Sequence, residues 1–172
     1  MNIFKVIFTA SVIAFTSVSY SSGYGDKIFT SDYIKGALKY YHIKVHVKMR
    51  DEDEGMSRGA QDLYGQIITS GVNGYEGFRV WNVPESRYIN NNNNINLEFW
   101  VVGTDNGDDN YFKMTGEMYD WDRFGGNEWL CNILPDHKFY QRNIGKKDYK
   151  VFEESGENEC DYINILEFEE VQ

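Results

Sequence analysis

The residues of this 172-residue chain best placed to do chemistry are carboxylates at short, fixed spacings. Asp120 and Asp122 stand two apart and Glu128 follows six residues later, while Asp51, Asp53 and Asp62 form a second set well upstream. Acids crowded onto loops repel one another unless a cation neutralises them, and Ca²⁺ takes about six to eight oxygen ligands from loops of this kind. Zn²⁺ fits poorly, because it prefers nitrogen and sulfur. His42 and His46 share one face of a candidate strand, but two histidines alone make a weak metal site, and they read as a solvated face. The run Thr104 to Asn110 is acidic and turn-like. It lacks the closing glutamate of an EF-hand, so it reads as a tight turn with solvated acids. Asp120 and Asp122 could in principle serve as an acid and a base. The chain shows no Ser-His-Asp ordering, nucleotide loop or zinc signature, so a binding module is expected and an enzyme is not.

Loops need a scaffold, and the sequence supplies short β-favouring runs. Ile43, Val45, Val47 and Met49 alternate with His42, Lys44, His46 and Lys48, the period-two pattern of a half-buried strand. Further strands are expected at Leu63 to Thr69, Phe78 to Trp81, Ile95 to Val102, Tyr111 to Tyr119, Trp129 to Ile133, Tyr149 to Phe152 and Tyr162 to Phe168. Together they predict an all-β fold, an eight-stranded antiparallel β-sandwich. If consecutive strands run antiparallel, the loops alternate between two ends. The Asp51 to Gln61, Pro84 to Asn94 and Asp120 to Glu128 segments then share one end, called the top, while Ser70 to Gly77 and Gly103 to Asn110 lie at the bottom. The asparagine patch Asn90 to Asn94 reads as a solvated loop tip.

Composition sets the setting. The formal charge of −10 speaks against nucleic acid, whose binding depends on basic residues displacing counterions. Residues 1–21 read as a cleavable secretory signal: Lys5, an apolar stretch from Val6 to Phe15, then small residues, with Ser19 or Ser21 as the last one removed. Losing Lys5, the only charged residue of that segment, leaves −11. Residues 22–40 form a lead-in and 41–172 the domain. No later segment reaches the roughly 20 apolar residues of a membrane span, so a secreted or periplasmic protein is expected. In an oxidising compartment Cys131 and Cys160 are expected to pair, with two buried thiols as the alternative. A bond between them would stabilise by about 3 kcal/mol on the chain-entropy account.

The run Met118-Tyr119-Asp120-Trp121-Asp122-Arg123-Phe124-Gly125-Gly126-Asn127-Glu128-Trp129-Leu130 resembles the third calcium-binding loop of C2 domains, where a strand ends in Asp-x-Asp and another acid lies six residues after the second Asp. Asp62-Leu63-Tyr64 is similar to the element that opens the strand after that family's first loop, with Asp51 or Asp53 as the preceding acid. Asn96 to Val101 is similar to the Phe-rich strand before the third loop. The resemblance spans Tyr41 to Leu130. It departs from the family in lacking proline after Asp62, in a longer first loop and in Glu rather than Asp at 128. It implies Ca²⁺ held by Asp51 or Asp53, Asp62, Asp120, Asp122 and Glu128, and docking on an anionic lipid surface or a protein partner, with Met56 and Phe124 as apolar loop tips. Binding two such ions would reverse the sign of the local charge at the loops. Lys146 and Lys147 are too few for a polybasic lipid-reading face. Two other binding readings accompany this one. One is a calcium-stabilised structural or accessory domain, acting with a toxin or adhesin, in which the ion raises stability but triggers no binding. The other is a glycan-binding sandwich using Trp81, Trp100, Trp121 and Trp129.

Overall fold

The computed structural model describes residues 38–50, 62–89, 92–121, 128–153 and 159–171. Among these, strand β1 runs from Leu38 to Met49, β2 from Leu63 to Thr69, β3 from Phe78 to Val83, β4 from Asn94 to Thr104 and β5 from Tyr111 to Asp120. Then come β6, Glu128–Ile133, β7, Lys138–Tyr140, β8, Lys147–Asp148, and β9, Cys160–Val171. One sheet has the order β4-β1-β9-β8. In the other, the order is β3-β2-β5-β6, with β7 pairing the first residues of β5. Every strand pair is antiparallel, as the all-β reading requires.

The alternation in β1 decides its two faces. Ile43, Val45, Val47 and Met49 are fully buried, while His42, Lys44, His46 and Lys48 lie on the other side. A buried aliphatic of this size contributes about 1.5–3 kcal/mol. The opposing sheet answers with Leu63, Ile67, Met114, Met118 and Ile133. Phe112 lies edge-on to Phe99 and Phe168, with centroids 6.0 and 5.5 Å away, and so knits the two layers.

Three expectations are corrected. The described strands number nine rather than eight, and there is no strand over Tyr149 to Phe152. Val151 and Phe152 are buried in succession, which a strand with one solvent face does not allow, and Phe152 makes only a single bridge to Ile133. The chain between β6 and β9 instead forms the short β7 and β8. Finally, β1 begins at Leu38 rather than at His42, because its first residues continue the ladder with β4 down to Leu38 opposite Thr104.

The strand ends sort as the alternation of loops requires. At the top, Met49 lies opposite Cys160, and Leu63 lies opposite Asp120, which in turn lies opposite Glu128. At the bottom, Val72 bridges Gly103. A Cβ on Gly103 would come within 2.3 Å of the Val72 carbonyl oxygen, so only glycine admits this crossing. Beside it, buried Asn73, in the left-handed region at φ 57°, donates to the Thr104 carbonyl (2.6 Å) and the Asn110 side chain (2.9 Å) and accepts from the Tyr111 N–H (3.2 Å). The two bottom turns are thus bonded to each other.

Candidate metal centre

Residues at the top can be placed one by one. Asp120 closes β5 on its inward face and is only 4% exposed. Its Oδ1 accepts the backbone N–H of Asp62 at 2.5 Å, and the Asp62 carbonyl accepts the N–H of Trp121 at 3.0 Å. These two bonds extend the ladder between β2 and β5 beyond its last pair and fix the first residues of both acidic segments against each other. Glu128, exposed at the start of β6, lies opposite Asp120 in register. Three of the expected ligands therefore come from three adjacent strand ends. Asp51, Asp53 and Asp122, with the expected tips Met56 and Phe124, lie outside the described residues.

No Lys, Arg or His among the described residues pairs with Asp120, and its Oδ2 has no hydrogen-bond partner among them. Nearby, burial and then the charges of Glu85, Asp120 and Glu117 push the Tyr64 hydroxyl above its ordinary pKa. The donor set is all hard oxygen, which suits Ca²⁺ and not Zn²⁺. Among the described residues no group of three or more His, Cys, Asp or Glu side chains could by itself hold a metal ion. A six-to-eight-oxygen set would have to draw on residues 51–61 and 122–127 as well.

Two supports of this end escaped sequence reasoning. Leu63 and Ile89 exchange both backbone bonds, at 2.9 and 2.7 Å, and so anchor the stretch after β3 beside β2. Tyr88 then stacks on Trp121 with centroids 4.4 Å apart and planes at 10°, walling the side of the acidic end. Trp121 sits inside the Asp-Trp-Asp run, so an aromatic partner was a legible need; that Tyr88 fills it was not. Below, Cys131 and Cys160 are disulfide-bonded, with Cα atoms 6.0 Å apart, joining β6 of one sheet to β9 of the other just under the loops.

Elsewhere the sequence readings divide. His42 and His46 share the outer face of β1 with separate partners. The two ring nitrogens of His42 lie 2.8 Å from Glu98 and 2.5 Å from Glu167, while His46 bonds Asn94 at 2.9 Å. Of the bottom-turn acids read as solvated, Asp105 and Asp109 are paired, and so are Glu167 and Glu170 of β9. Asp105 and Glu170 both bind Lys39, at 2.8 and 2.7 Å, Asp109 pairs with Arg142, and Glu167 bonds Lys44 at 2.8 Å. The four tryptophans do not converge. Trp100 stands on the outer face of β4 against His42, Trp121 is at the top, Trp81 packs on the core, and the Trp129 N–H donates to Asn132.

No protein-family model matches the chain, and no curated protein does so either. Among the described residues no helix is long and apolar enough to cross a membrane.

Proposed function

We propose that the protein is an exported calcium-binding module, C2-like at its loop end, that docks on an anionic membrane surface or a protein partner when calcium is bound. The observation that supports this most is Asp120. It is a buried carboxylate, oriented by the Asp62 N–H, with no cation beside it among the described residues, at the strand end from which both acid-rich segments leave.

In this reading the chain's own residues do three things. The Asp62 N–H holds one oxygen of Asp120, which leaves the other to serve as a ligand. Asp62 and Glu128 add oxygens from either side, and Asp51 or Asp53 with Asp122 complete the set. The disulfide and the paired strand ends keep these donors from moving apart, so less ordering has to be made up when the ion arrives. Bound calcium supplies the positive charge that neutralises the acids and presents open coordination positions to anionic oxygens. Before binding, a chain at −11 is repelled by an anionic surface, and this is what makes the response a switch.

Sedimentation with vesicles containing phosphatidylserine, in calcium and in chelator, tests the docking step. The protein should pellet with these vesicles in calcium and stay in the supernatant in chelator or with neutral vesicles. If calcium binds yet nothing pellets in any vesicle mixture, membrane docking is wrong and the ion serves stability or a protein partner.

A further inference from the structure

β4 is the outer strand of its sheet, and among the described residues no strand pairs with its outer edge. Val102 gives its carbonyl outward to the Val72 N–H at 3.0 Å, and Asn94 gives its N–H outward to the Asn92 side chain at 2.9 Å. Backbone groups alternate along a strand, so Asn96, Glu98 and Trp100 also turn their N–H and C=O away from β1. None of these groups has a partner among the described residues. Edge strands are ordinarily blunted by lysine, proline or a bulge. β4 has no lysine and no proline, and its register with β1 is unbroken over all its residues, whereas the ladders of β1 with β9, β2 with β3 and β5 with β6 each contain a shift.

We propose that this edge pairs with the same edge of a second copy, antiparallel about a two-fold axis through Leu97, joining the two four-stranded sheets into one. The side chains select both partner and register. A two-fold through Glu98 would set two carboxylates directly opposite each other, which is destabilising. A two-fold through Phe99 would bring Asn96 against Val102, whose carbonyl Val72 already occupies. The Leu97 axis avoids both: it sets Trp100 opposite Asn94, whose N–H is held only by the side chain of Asn92 and not by a backbone segment, and places Asn96 opposite Glu98 of the other copy, twice. The Asn96 amide makes no hydrogen bond, and Glu98 uses only Oε1, toward His42 and Lys44. A free amide thus meets a free carboxylate oxygen on both sides of the axis. Trp100, 57% exposed with one ring face on His42, is covered on its other side.

Sedimentation velocity of the mature, disulfide-bonded chain, with chelator present so that calcium plays no part, tests this. A monomer–dimer equilibrium is expected, tightening as salt screens the net charge of −11. Asn96→Pro removes an outward N–H at a site where an edge strand tolerates proline, so it should give a monomer whose melting curve matches that of the parent chain at dilutions where the parent is monomeric too. Asn96→Lys, facing Glu98 of the partner, should tighten the dimer and Asn96→Asp weaken it, each by roughly tenfold in Kd. A chain that stays monomeric at high micromolar concentration, or a dimer indifferent to all three substitutions, overturns the proposal.

Discussion

At Asp120 the same carboxylate does two jobs that a single substitution can separate. Asp120→Asn keeps an oxygen to accept the Asp62 N–H but removes the charge. It should therefore leave the melting temperature in chelator nearly unchanged and abolish most of the shift that calcium gives. Asp120→Ala strands the Asp62 N–H as well and should cost about 1–3 kcal/mol even without calcium. At the other end, Asn73→Ala removes three bonds from a buried site and forces alanine to φ 57°. Chemical denaturation should show a loss of about 3 kcal/mol, with Asn73→Gly costing about 1 kcal/mol less because glycine accepts that backbone. Asp105 answers to pH. The Lys39 ammonium, the Gly107 N–H and the Asn110 amide lower its pKa to about 2. A carboxyl lowered on folding stabilises above its unfolded value and loses that contribution as pH falls through the folded one, so the effect should fade between about pH 4 and pH 2 and vanish in Asp105→Asn. The acids Asp120 and Glu128 were legible because their spacing is local. The Asn73 network was not, since Asn73 and Asn110 come from two separate turns whose meeting with the ends of β4 and β5 depends on the whole fold.

Strands reveal themselves in sequence when one face is wet and they are long enough to show it. β1 announces itself by strict alternation, and β2, β4, β5 and β9 follow from β-branched and aromatic runs. β7 and β8 are three and two residues long, too short for any period to register, and their place depends on β5 and β9 offering edges. The aromatic run at Tyr149 to Phe152 misleads for a related reason: its apolar residues fill the core as a bend. The disulfide is the one covalent tie between the layers among the described residues, closing a separation of 29 residues. Replacing both Cys131 and Cys160 by alanine should cost about 3 kcal/mol and lower the melting temperature by roughly 10 °C, with calcium affinity falling too as the β6 and β9 ends loosen.

Across the described residues of the whole molecule, the acids differ in whether a basic partner stands beside them. On the outer face of the four-stranded sheet and at the bottom turns, Glu98, Glu167, Glu170, Asp105 and Asp109 each have a basic partner. At the top Asp120 has none among the described residues, and that asymmetry is the physical ground for expecting a cation there. Thermal unfolding of the mature chain in millimolar calcium and in chelator, alongside Asp120→Asn and the bottom-turn control Asp108→Asn, tests this most directly. The account predicts a rise of several degrees with calcium for the parent chain and for Asp108→Asn, and almost none for Asp120→Asn, as linkage of binding to folding requires. Identical curves with and without calcium, or an equal loss of the shift in both variants, would contradict it.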